Sequence, residues 1–201
     1  MNGFERRRNE KKRIIMQTAM DLFSAHGFDR VSMTEIAEKA HVSKVSIYNF
    51  FESKDNLRRV IIKEILDDSL ERLTTLFNGP ASFIEKIEKY MGSRTDFSGR
   101  YGLDFFFDSV ENDPELREYF QGFLAVNKRM MTDFIKQGKE IGYFSSDISD
   151  TAIEIYIDMY HSYFIYNKTH RDTIERNPEL AGEINLLFLD GLIRDKEEGR
   201  D

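Results

Sequence analysis

A chain of 201 residues with 40% hydrophobic and 13% aromatic content can bury one large core or two small ones unaided, and without a cysteine it can form neither a disulfide framework nor a thiolate metal site. The N-terminal MNGFERRRNEKKR has no apolar run behind it to make a secretory leader, and no stretch approaches the roughly 18 apolar residues of a spanning helix, so the sequence reads as a soluble, cytoplasmic chain with no membrane partner. The net charge of −7 conceals an asymmetry, because residues 1–63 hold 13 Lys+Arg against 8 Asp+Glu, a balance of +5 that leaves −12 for the remainder. A basic head on an acidic body is the footprint of a polyanion-binding module carried by a scaffold that nucleic acid repels.

Three prolines in the whole chain and long apolar stripes of period 3.6 predict an all-α protein of about nine helices. The first, roughly Arg8 to His26, aligns Ile15, Ala19, Leu22 and Phe23 and stops at Gly27, with Phe28 placed to fold back onto Phe23. The second opens at Ser32-Met33-Thr34-Glu35, a capping-box pattern, and runs to Ala40. After His41, Val42 and Ser43 the third spans Lys44 to Phe51, capped by Ser43. Ser53 caps a fourth from Lys54 to about Phe77, and Asn78-Gly79-Pro80 breaks the chain. Further stripes predict helices at about Ala81 to Met91, Tyr101 to Val110, Pro114 to Ile141, Ser149 to His170 and Pro178 to Asp195, with Pro114 and Pro178 tolerated in first turns.

The three-residue connection between the second and third helices is the spacing of a helix-turn-helix, whose second helix lies in a DNA major groove. Ile36, Ala37, Ala40, Val42 and Ile47 supply the apolar seam where two short helices cross. At 100° per residue, Ile47 and Phe51 point inward, Lys44 and Tyr48 flank them, and Val45, Ser46 and Asn49 face outward. The outward methyls, hydroxyl and carboxamide suit base edges, while Lys44 and Tyr48 suit phosphates at the groove walls. Ser43 and Ser53 open helices whose free N–H groups can take phosphate, with Lys54 just inside the second of these termini. Thr34, at the start of the second helix, completes the candidate DNA-contacting set.

From about Lys11 to Leu57 the sequence resembles the N-terminal DNA-binding domain of the TetR family of bacterial transcriptional regulators. The resemblance is carried by A-x-x-L-F-x-x-x-G-F at Ala19 to Phe28, S-M-T-E-I-A at Ser32 to Ala37, V-S-K-V-S-I-Y-N-F-F at Val42 to Phe51 and S-K-x-x-L at Ser53 to Leu57. His41 stands where the family usually has a turn glycine, and histidine tolerates the left-handed region at a small cost in stability. Val45, often glycine in the family, alters the surface offered to bases. The resemblance implies a DNA-binding domain at 1–53 and an effector-binding and dimerisation domain at 54–201. It implies a homodimer whose last two long helices form a four-helix bundle, a ligand cavity in each body, and repression at a palindromic operator that a small molecule relieves.

The sequence beyond the head is compatible with that scheme. The stretch Ser149 to His170 is apolar on nearly every side and so requires burial on two faces, its own core and a partner. Ile157 and Phe164 on it, with Ile184, Phe188 and Gly191 on the last helix, are the candidate dimer interface. Aromatic stripes are more often core than ligand box, but a pocket for an apolar or aromatic effector can be drawn from Tyr90, Phe105, Phe107, Phe120, Phe123, Tyr156 and Tyr160. Asp104, four residues before Asp108, is a candidate contact for a cationic group. His26, His41, His161 and His170 have no close metal spacing, and neither a glycine-rich phosphate loop nor a nucleophile motif is present, so no metal, cofactor or catalysis is expected. Two competing readings remain, an architectural or nucleoid-binding protein with the same head and no effector, and a small helical enzyme.

Overall fold

Glycine stops, serine caps and long apolar stripes make the described residues helical almost throughout. The computed structural model describes residues 3–90, 103–177 and 179–190, leaving the side chains of residues 160, 161, 164–166, 185 and 189 outside the description. The described residues form ten helices: α1 Gly3–His26, α2 Met33–Lys39, α3 Lys44–Phe51, α4 Lys54–Asn78, α5 at 83–90, α6 Leu103–Glu111, α7 Pro114–Glu140, α8 Asp150–Tyr166, α9 Lys168–Arg176 and α10 Glu179–Asp190. No strand occurs among the described residues, and none of their helices is long and apolar enough to cross a membrane.

The predicted stops and starts are built as the chemistry requires. Gly27 takes φ 83, and the ring of Phe28 lies 5.1 Å from that of Phe23. Ser32, Ser43, Ser53 and Ser149 each accept a backbone N–H of the first turn they precede. A full capping box at α5 has Ser82 and Glu85 bonding each other's backbone N–H at 2.8 and 3.3 Å.

One predicted helix is two. The stretch from Ser149 to His170 breaks at Asn167, which sits at φ −108, ψ 82 and serves as C-cap of α8 and N-cap of α9. Its N–H still reaches the Tyr163 carbonyl at 3.1 Å while its Oδ1 accepts the His170 N–H at 3.2 Å. An asparagine side chain competes with the helix ladder in this way, and the apolar pattern that runs up to it conceals the break.

By packing, the chain divides into a unit of residues 1–67 and 101–119 and a unit of residues 68–100 and 120–201, with α4 and α7 contributing residues to each. In the first unit Ile15, Phe23, Ile36, Ile47, Phe51, Leu57 and Ile62 are buried, and Phe105 of α6 meets Phe23 of α1 with ring centroids 5.3 Å apart. Each such side chain contributes about 1.5–3 kcal/mol by leaving water. The core of the second unit joins Leu73, Ile87, Tyr90, Met131, Phe134, Ile135, Phe144, Ile153, Ile157 and Phe188. There Phe134 stacks against Phe77 and Phe83 at 4.7 and 4.4 Å.

Candidate nucleic-acid interface

The turn between α2 and α3 is held by its own backbone. His41 takes φ 55, its N–H reaches the Glu38 carbonyl at 3.2 Å, and the Val42 N–H reaches that of Ala37 at 3.0 Å. Ile36, Ala37 and Ala40 are buried at the crossing, as the seam predicts. On α3, Ile47 and Phe51 are 0% exposed while Val45 is 67% and Tyr48 41% exposed. Lys44 and Asn49 are also exposed, as is Thr34 on α2. Ser46 is half-buried, and its hydroxyl is 2.9 Å from that of the capping Ser43. Eight residues span about 12 Å, so α3 offers one short polar and methyl-bearing face of the length a major groove admits.

Lys54 is placed differently from a side chain reaching outward. Its ammonium lies 4.3 Å from the centre of the Phe28 ring and donates to the Asp29 carbonyl at 3.4 Å. Arg58 also lies over Phe28, at 4.3 Å. One turn into α4, Asn56 donates its carboxamide N–H to the carbonyl of Phe51 at 3.0 Å, tying α4 to the last residue of α3.

The sequence reading misses a charged cluster in this unit. Asp113, between α6 and α7, accepts Arg58 Nη2 at 3.1 Å and Arg59 Nε at 2.7 Å on one carboxylate oxygen. The other oxygen accepts the backbone N–H groups of Glu115 and Leu116 at 3.1 and 3.3 Å. Burial pushes the Asp113 carboxyl up, but the Arg59 and Leu116 hydrogen bonds and the two guanidinium groups outweigh it and hold it below the usual carboxylate range. Glu115 is held low by Lys63 at 2.7 Å. Only the D-P-E start of α7 hints at this cap in the sequence, and nothing local announces its arginine partners.

Comparison with known proteins agrees with this geometry. The family model described as bacterial regulatory proteins, tetR family, matches residues 15–61, the span from the middle of α1 through the first turns of α4. Over this span the chain is similar to the TetR family. It is similar to the HTH-type transcriptional regulator RutR of Escherichia coli K12, with 28% identity over 136 residues, and spans 64% of the length of that relative. The fold is shared with the reduced form of E. coli NemR at a TM-score of 0.70 and 16% identity, covering 93% of this chain and 99% of that one. It is shared also with Bacillus subtilis FadR in complex with stearoyl-CoA at 0.66 and 16% identity, covering 89% and 98%.

The residues proposed from sequence for an effector fall in both units. Asp104, Phe105 and Phe107 lie on α6 in the first unit, Phe105 and Phe107 buried and Asp104 half-buried. In the second unit, Tyr90 is buried beside Phe77 at 5.8 Å, Phe120 stacks on Phe123 at 5.8 Å, and Tyr156 stacks on Phe188 at 4.8 Å. Tyr160 is on α8, its side chain outside the described residues. Among those whose side chains are described, Tyr156 borders the apolar groove of about 500 Å³ that α8, α9 and α10 line with Met159, Tyr163, His170, Thr173, Ile174, Leu180 and Ile184. His170, Thr173 and Ile174 of that lining lie on α9, beyond the break at Asn167, so a single helix ending at His170 concealed this wall of the groove.

Of the dimer candidates, Ile157 and Phe188 are buried in the protomer's own core and Ile184 lines the groove. The Phe164 side chain and Gly191 lie outside the described residues. Apolar surface is left exposed by Ile155, Met159 and Tyr163, successive turns of α8, and by Leu186 and Leu187 of α10.

Proposed function

We propose that this chain is a DNA-binding transcriptional repressor that leaves a palindromic operator when a small, largely apolar or aromatic effector binds, residues 1–53 reading DNA and 54–201 serving effector binding and dimerisation. The observation that carries the reading is α3: two side chains wholly buried against the head, and an opposite face of Val45, Tyr48 and Asn49 turned to solvent. The basic charge of residues 1–63 supports the same partner. Ser43, Lys44, Ser46 and Thr34 complete the proposed contacts, and Lys54 joins them by leaving the Phe28 ring for phosphate.

Two copies on two half-sites account for repression at a palindrome. The second copy is proposed to pack on the exposed apolar residues of α8 and α10, which a lone protomer leaves in water. An effector site in the second unit is supported by the groove, whose volume is in the range of small-molecule sites. A cytoplasmic, non-enzymatic role follows from the same reading.

The test is selection from a random duplex pool by the purified protein. The expected product has two-fold symmetry with half-sites about one helical turn, roughly 34–36 Å, apart. An effector found by thermal-shift screening then weakens that binding by roughly 5- to 150-fold, and saturating DNA weakens effector binding by the same factor. An effector whose affinity is identical with and without DNA favours the architectural reading, and a pool without enrichment contradicts DNA reading altogether.

A further inference from the structure

We infer that Asp113, in the short turn between α6 and α7, is a positioning residue for the DNA-reading helix and acts through α4; the inference rests on the DNA-binding reading above. The Asp113 side chain is 1% exposed and divides its work by oxygen. Oδ1 caps α7 through the Glu115 and Leu116 N–H groups, and capping needs no more. Oδ2 is turned wholly to α4, taking Arg58 Nη2 and Arg59 Nε.

From there the contacts lead to the recognition helix. Arg58 lies on the Phe28 ring at 4.3 Å, so the first turns of α4 are fixed to the α1–α2 connection whether or not Lys54 leaves it for phosphate. Asn56 holds the carbonyl of Phe51, the last residue of α3. The beginning of α4 is therefore clamped between Asp113 and the end of α3. With Asp113 neutral, both arginines lose their shared anion and α4 gains freedom relative to α3. Base-edge contacts depend on how α3 is presented, whereas attraction to phosphate depends on charge alone. Removing the anion therefore costs sequence discrimination without weakening attraction to phosphate, since Arg58 keeps Asp55 at 3.1 Å and Arg59 keeps Glu115 at 3.3 Å.

The experiment compares Asp113→Asn with the wild-type protein on the duplex selected from the random pool and on random duplex of equal length. Asparagine keeps the α7 cap and removes the charge. The expected result is a roughly tenfold loss on the selected duplex with unchanged or tighter binding to random DNA. Arg59→Met, which leaves the cap untouched, gives the same fall in the ratio and adds little to it in the double variant. A merely structural role lowers both affinities in proportion through loss of folded protein, and that outcome overturns the inference, as does a wild-type ratio in both variants. If the wild-type protein enriches no duplex, the DNA-binding reading falls and takes this inference with it.

Discussion

His41 sits at φ 55 in the turn between α2 and α3, in the left-handed region where a side chain costs roughly 1–2 kcal/mol and glycine costs little. Glycine gives back part of that gain through greater freedom in the unfolded chain. His41→Gly is accordingly expected to stabilise the protein by about 0.5 kcal/mol, read as a higher urea midpoint at unchanged slope; a lower midpoint contradicts the account. This strain was legible in the sequence because the motif puts a glycine position there. The buried face of α3 was legible too, since Ile47 and Phe51 share one side of a short helix. Asp113 was not, because its arginine partners lie 54 and 55 residues away and no local pattern encodes them. Lys54 was read as a phosphate ligand from its place at a helix start, while its resting contact with Phe28 is a tertiary fact.

Along α7 two glycines have opposite meanings. A Cβ on Gly122 meets nothing within 4 Å, whereas one on Gly138 overlaps the Phe144 ring and comes within 2.7 Å of Phe83 Cζ. Gly122→Ala is expected to stabilise by about 0.5–1 kcal/mol through helix propensity. Gly138→Ala is expected to destabilise by about 1–3 kcal/mol, because an aromatic packed against the helix must move. Thermal melts of the two variants check the pair, and shifts of the same sign contradict the packing described. At this scale the caps of α2, α3 and α4 could be read in advance, each from a serine at the right distance. The break at Asn167 could not, because apolar residues continue up to it and the competing hydrogen bond is made by a single side chain. The α9 wall of the groove was lost with it, and so was the division of the aromatics between two units.

For the molecule as a whole, five carboxyls among the described residues are held below their ordinary range: Glu10 by Arg13, Glu85 by the Ser82 N–H, Glu115 by Lys63, Asp150 by Lys139, and Asp113 by its arginines and backbone donors against the opposing effect of burial. A folded pKa below the unfolded one gives stability that is complete above the unfolded value, about 4, and lost as pH falls through the folded values. The melting temperature is expected to vary little through these groups from pH 7 to 5 and to fall below about pH 4; a rise on acidification from pH 5 to 3 contradicts these pairings. Charge asymmetry, helix class and the helix-turn-helix were legible at this scale because they rest on composition and on periods within single segments. The central claim, that the exposed face of α3 reads base sequence, is tested most directly by the affinity of Asn49→Ala for the selected duplex and for random DNA at one salt concentration. The account predicts a loss of about 1–3 kcal/mol on the selected duplex and none on random DNA. Equal losses on both, or no loss on either, would contradict it.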